Sequence, residues 1–323
     1  MKNFRLKCFL LILFVLYPLL LSAAEPWVYV TNNRSDTLSI ISTSKDEVIV
    51  TIGVGREPHE VAITPDGKRV FVCNAADDNV SVIDANIVVA TIPTERFPHG
   101  VAITPDGKRA YVVNYRADSV TVIDVKKAEI LKTLHGIRSN PRNISITPDG
   151  QFAYITTVGT DSVTVLDLST HQIIGQVSVP LIGEGVGISP DSKTVYIASR
   201  GSHSVYLIDV KTNKIKGSIL VGTSPIRVAF TPDGKLALVP NLETGRVTII
   251  DVVTEKVIDT VRVGSSPVGV VVTPDSKKAY VAVYAENVVA VIDLETFRVK
   301  KRIQTGLAPD GIAIALSPED LKL

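Results

Sequence analysis

From Trp27 onward the chain alternates between short apolar runs and polar turns. Residues 100–104, 110–114, 119–125 and 129–134 form one such set, rich in Val, Ile, Thr and Tyr and too short for helices. Each predicts a strand. The first run of a set is small and apolar on both sides, as in Val61-Ala62-Ile63, which suits a strand sandwiched between neighbours. The last run alternates, with Val299, Lys301 and Ile303 against Arg298, Lys300 and Arg302, which suits an outer edge where charge discourages further pairing.

The set repeats. Thr64-Pro65-Asp66-Gly67 recurs at Thr104, Thr147 and Thr231, with looser copies at Ser189, Thr273 and Ser317. The prolines step by 40, 43, 42, 42, 42 and 44 residues, a period that means a repeat architecture. Each copy suits a tight turn between the first and second strands: Pro presets φ, Asp bonds its own backbone, and Gly accepts positive φ. Six aspartates, Asp84, Asp124, Asp167, Asp209, Asp251 and Asp293, share one position after the third strand. They are expected to fix the next turn rather than to do chemistry.

The two ends of the pattern are complementary. It begins at residues 27–32 with a second strand that has no first strand before it. It finishes at residues 311–315 with a first strand that has no second after its turn. Pairing the two closes a ring and removes two exposed sheet edges. The prediction is an all-β, seven-bladed β-propeller with four antiparallel strands per blade. Residues 25–323 form its single domain.

Residues 1–24 read as a signal peptide: Lys2, Arg5 and Lys7, an apolar run over residues 9–21, then Ser22-Ala23-Ala24. The run is too short to span a membrane as a helix, and Cys8 lacks the small residues that precede a lipid-attachment site. An exported protein is expected, in the periplasm, on the cell surface or secreted. Loss of the leader takes the 34 Lys and Arg down by three to 31, against 33 Asp and Glu. The resulting balance of −2 gives no general attraction to nucleic acid or an acidic membrane. Cys73 is then the single cysteine, expected to be a buried, unreactive thiol. Asn33, Asn79 and Asn143 match glycosylation acceptors, relevant only in a eukaryotic host.

Tyr29-Val30-Thr31-Asn32, Tyr111-Val112-Val113-Asn114 and the run from Pro98 to Gly107 resemble the YVTN repeat of surface-layer proteins and YncE-like exported propellers. The resemblance covers residues 27–320, and the Trp-Asp pair of WD40 blades is absent. It implies the propeller fold. Relatives known as binding or surface proteins imply a binding module, while related lactonases and haem-carrying domains leave an enzyme open.

Residues that break the repeat are the better site candidates. After the position that opens each first strand, a proline in six blades and Gly183 in the fifth, the blades carry His59, His99, Arg142, Glu184, Ile226, Val268 and Asp310. The next position carries Glu60, Gly100, Asn143, Gly185, Arg227, Gly269 and Gly311. This ring is expected at the mouth of the central channel, where a ligand would sit. His59 and His99, on adjacent blades near carboxylates, are the candidates for a divalent metal or for acid–base chemistry; no other cofactor is expected. Phosphate-loop, nucleophile-elbow and His-Glu-x-x-His motifs are absent.

Arginines, including Arg34, Arg56, Arg96, Arg116, Arg138, Arg142, Arg200, Arg227 and Arg246, fall in or beside the loops of the face that carries this mouth. Lysines fall on the opposite turns or along the outer strands. Arginine grips carboxylate or phosphate through two bonds, which suggests a small anionic ligand or an acidic protein or glycan partner, bound by a monomer. The same loops are rich in carboxylates, so these arginines are equally placed to pair across blades. The first reading is a non-enzymatic binding module. The second is a lactonase-like or metal-assisted hydrolase using His59, His99, Glu184 and Arg142. Single-stranded nucleic-acid binding comes third, disfavoured by charge and few loop aromatics.

Overall fold

The computed structural model describes residues 25–137, 139–181 and 183–316. The expected signal peptide, Arg138 and the seventh turn at Ser317 lie outside them. The described residues form seven four-stranded antiparallel sheets arranged as a propeller, six of them with their strands in sequence order from axis to rim and the first with its inner strand taken from the end of the chain. In the third blade these are Pro98–Ile103, Arg109–Asn114, Ser119–Asp124 and Glu129–His135. Blades are numbered along the chain from the one that holds the N-terminal strand.

The first blade closes the ring. Pro309–Leu316 supplies its inner strand and lies antiparallel to Pro26–Asn32, with Trp27 opposite Ala315 and Tyr29 opposite Ala313. The predicted pairing of the two orphan segments is therefore observed. The seam between seventh and first blades is packed like any other: Tyr280, Ala282, Val289 and Ile303 meet Val28, Val30, Ile41 and Ile312 in one apolar cluster.

Burial concentrates in the second and third strands, whose residues face neighbouring blades on both sides. The first strands are less buried than their apolar sequence predicts, because Ala62 and Ile63 and most of their equivalents, such as Ala102 and Ile103, are partly exposed. The fourth strands are rim edges with one buried residue near the end, such as Ile52, Ile92, Val177 and Ile303. Cys73 is buried in the cluster between second and third blades, and burial, with Glu60 nearby, pushes its thiol well above the ordinary range.

The recurring polar residues hold the frame. Thr64 donates its hydroxyl to Asp66, and Asp66 also accepts the Lys68 backbone N–H at 3.1 Å; the other copies repeat this. Five of the six shared aspartates accept backbone N–H bonds in the turn that follows, as predicted. Asp84 differs, because its turn is shorter and the Arg69 guanidinium takes its carboxylate at 2.7 Å. The asparagine that ends the YVTN string also has a structural task. Asn32 and Asn114 each donate to two hydroxyls of the third strand, at 2.9–3.0 Å. Tyrosines of the second strands link blades, with Tyr154 donating to Asn213 of the next blade at 2.7 Å.

Candidate functional site at the channel mouth

All seven first strands start at one face, so the residues after their opening proline, or after Gly183 in the fifth blade, gather around one mouth. The strands start with a register shift, as between Pro98 and Gly100, which turns local side chains away from regular alternation. Tight packing there demands glycine. A Cβ on Gly311 would lie 2.2 Å from the His59 carbonyl oxygen, and one on Gly185 would lie 2.2 Å from that of Ile226.

Ring closure builds the first pair. Asp310 comes from the last strand and His59 from the second blade, and their side chains meet at 2.7 Å through His59 Nδ1. Thr31 fixes the backbone beneath them, donating its hydroxyl to the His59 carbonyl at 2.5 Å and accepting the Gly311 N–H at 2.9 Å. Burial alone would raise the Asp310 pKa, but the bond to His59 and the fields of His59, Arg227 and Arg142 leave it lowered. The carboxylate is thus ionised at neutral pH and can only accept, so His59 Nδ1 is the donor of this bond and Nε2 is left outside it.

His99 stacks on His59, with ring centroids 4.3 Å apart and planes 22° from parallel. It is buried, and its Nδ1 has no hydrogen-bond partner. Burial first, and then His59, Arg142 and Arg227, push its pKa well below the usual histidine value, so it is neutral at neutral pH. Phe97 and Tyr115 complete a four-ring cluster, each at 5.8 Å from the next ring and with Tyr115 at 6.2 Å from His99. Arg116 lies 4.1 Å over the Phe97 ring. Phe97 and Tyr115 were not legible as site residues, because both lie outside the first strands and Tyr115 follows an ordinary Asn114.

The remaining ring residues are ionic. Arg227 of the sixth blade reaches across the channel to Glu60 of the second, and Asn143 of the fourth donates to the same carboxylate at 3.4 Å. Burial opposes the Arg227 charge, but Glu60, Asp310 and Glu184 more than offset it and raise its pKa. Glu184, 2% exposed, faces Arg142 at 2.7 Å and Arg200 at 3.6 Å. The Arg142 contact is an ion pair off the hydrogen-bond line, since neither atom has a well-aligned partner. Ile226 and Val268 close the ring with buried apolar side chains.

His59, His99, Glu60, Arg142, Glu184, Arg227 and Asp310 are therefore brought together, and Arg116 and Arg200 lie on the rim. Arg142, Arg200 and Arg227 are engaged by carboxylates, the alternative to ligand gripping that the sequence left open. Among the described residues no group of three or more His, Cys, Asp or Glu is placed to hold a metal ion. His59 and His99 stack face to face, an arrangement of two rings in van der Waals contact. No helix among the described residues is long and apolar enough to cross a membrane.

The fold and this ring frame the likeness to other proteins. A family model described as lactonase, 7-bladed β-propeller, matches residues 95–257, half of the chain, and one described as YNCE-like β-propeller matches residues 15–92. No curated protein matches. Among solved structures, Kuenenia stuttgartiensis hydrazine synthase is 24% identical at a TM-score of 0.77, over 82% of this chain and 91% of that one. A functionally unknown protein from Desulfotomaculum acetoxidans is 15% identical at 0.80, over 90% and 99%. Dihydro-heme d1 dehydrogenase NirN is 14% identical at 0.68, over 89% and 74%. Identities this low speak for the shared fold alone. With half its length matched by one propeller model and its start by the other, the chain belongs to the lactonase-type and YncE-like seven-bladed β-propellers.

Proposed function

We propose that this protein is an exported small-ligand-binding propeller that seats an anionic ligand at the channel mouth. The observation that carries the reading is the four-ring cluster of His59, His99, Phe97 and Tyr115 with Arg116 laid against it. Unlike Arg142, Arg200 and Arg227, Arg116 has no salt-bridge partner among the described residues and is exposed. A ligand with a planar body and a carboxylate fits this chemistry: the rings take the body, Arg116 the carboxylate, and His59 Nε2 a hydroxyl. The cross-channel pair of Glu60 and Arg227 forms the floor. The experiment is calorimetric titration with hydroxyphenylpropanoate, the ring-opened acid of the aryl lactone dihydrocoumarin. Saturable binding that weakens about tenfold in Arg116→Gln supports the reading, as expected when one charge-assisted contact is lost. No binding, or binding indifferent to Arg116, counts against it.

A second reading is favoured by one contact and one likeness. Asp310 holds His59 in the way a carboxylate orients a general base, and the family model that matches is a lactonase model. His59 Nε2 would then take a proton from a water attacking the lactone carbonyl and return it to the phenolate oxygen as the ring's acyl C–O bond breaks, and Arg116 would meet the carboxylate formed. Acid release from dihydrocoumarin in a pH-stat, lost in His59→Gln, would favour hydrolysis over binding alone.

A further inference from the structure

The third position of the YVTN string holds Thr31, Cys73, Val113, Thr156, Ala198 and Ala282 in six blades and Pro240 in the sixth. Proline has no N–H to give a neighbouring strand, so it is out of place in a strand paired on both sides. Its strand, Leu236–Asn241, is paired on both sides. The consequence falls on the inner strand. Six blades pair its fourth residue with the second strand, as Val61 with Val72, Val101 with Val112 and Val270 with Val281. In an antiparallel ladder such a pair is flanked by hydrogen bonds, one of them from the N–H at the third YVTN position to the carbonyl opposite. In the sixth blade the pair of Val228 and Val239 is missing, and the regular inner strand shrinks to Ala229–Phe230. The carbonyl that loses its donor belongs to Arg227, the residue that reaches across the channel to Glu60.

Residues 225–228 are held to their own blade by the bridge of Pro225 to Asn241 and by the Ile226 N–H on the Pro240 carbonyl at 3.0 Å. Both ends are fixed. Ser224 donates its hydroxyl to Glu243, its carbonyl accepts the Leu242 N–H at 2.9 Å, and Ala229 pairs with Leu238. Between these anchors Ile226 and Val228 pack sideways into adjoining apolar clusters, so the segment is seated but not laddered. Beyond the bar that Arg227 and Glu60 make, Ala62, Ile63, Ala102, Ile103, Ile188 and Phe230 are partly exposed. On the strands nearest the axis that exposure is to the channel. The bar therefore divides a charged mouth from an apolar channel.

We propose that residues 225–228 are the movable gate of the channel and that Pro240 is the positioning residue that frees them. The gate opens when Arg227 leaves Glu60 and the segment swings between Ser224 and Ala229, as hinges at element ends allow. The inference stands whichever ligand the mouth takes, because it rests on the missing ladder bond and the cross-channel contact.

The test is hydrogen exchange of the full chain, read by mass spectrometry. Peptides spanning residues 226–230 are expected to exchange about fivefold faster than those spanning 268–272, the same strand of the seventh blade, as one lost hydrogen bond implies. Pro240→Ala, which installs the residue of the flanking fifth and seventh blades, restores the donor and removes that difference. Glu60→Gln lies on the far side of the channel, yet it speeds exchange in 226–230 and leaves 268–272 unchanged, a response that local fraying would not give. If Glu60→Gln destabilises the whole chain, 268–272 speeds up as well and Pro240→Ala decides alone. Equal exchange of the two segments in the native chain, no slowing in Pro240→Ala, or indifference to Glu60→Gln in a stable protein overturns the proposal.

Discussion

Glu60 and Arg227 stand on blades that are not neighbours, yet their side chains meet over the axis and bar the channel. Both are largely buried, with side chains 14% and 12% exposed. Removing one partner leaves a buried charge uncompensated. Arg227→Met is expected to lower stability by about 3–5 kcal/mol in urea unfolding, while Glu60→Leu combined with Arg227→Met recovers much of the loss. A double variant as unstable as the sum of the singles would show that the two residues do not act as a pair.

The inner strand Pro309–Leu316 carries the ring closure and also delivers Asp310 to His59. A chain ended after Ala308 exposes the inner edge of Pro26–Asn32 and one flank of the seventh blade. It is expected to aggregate or to lose its single cooperative transition in calorimetry. Melting like that of the full chain would contradict the closed ring.

The frame was legible and the site only partly so, for physical reasons. Strand number, turn chemistry and closure follow from local rules repeated seven times, so Thr64-Pro65-Asp66-Gly67 and the orphan ends were enough. The ring residues stood out because His59, His99 and Asp310 break a position that the repeat otherwise leaves free. Their partners were not legible. Glu60 and Arg227 are 167 residues apart and meet only through ring geometry, and the meeting of Phe97, Tyr115 and Arg116 depends on how one loop folds over another. Arginine clustering could not by itself separate ligand gripping from ion pairing; the carboxylates beside Arg142, Arg200 and Arg227 do so.

Acid should destabilise the protein in two stages. His99 has a folded pKa well below its ordinary value, so as pH falls below about 6.5 the unfolded chain takes up a proton that the native state refuses. Stability therefore declines with pH in that window. Asp310, also lowered, adds a further loss once pH falls below its ordinary carboxylate range. Melting temperatures from pH 7 to pH 5 are expected to fall less steeply in His99→Gln than in the native chain. An unchanged slope would mean that His99 does not titrate as its burial requires.

Gly311 tests whether the site depends on close backbone approach. A Cβ there would strike the His59 carbonyl, a rigid backbone atom, so Gly311→Ala is expected to cost about 1–3 kcal/mol and to shift His59. The shift should appear as a changed imidazole resonance for His59 in NMR. Native stability with an unmoved resonance would show that the first blade can give way.

The most direct measurement is titration calorimetry of hydroxyphenylpropanoate into the native chain, Arg116→Gln and His59→Gln, with dihydrocoumarin hydrolysis followed in parallel. Binding at the channel mouth requires a saturable one-site isotherm in the native chain. It should weaken about tenfold in Arg116→Gln, as the loss of one charge-assisted contact implies, and by a smaller, severalfold step in His59→Gln, which loses one hydrogen bond to the hydroxyl, without a matching loss of thermal stability in either. A flat isotherm in the native chain, or equal affinity in all three proteins, contradicts a ligand seated on His59 and Arg116.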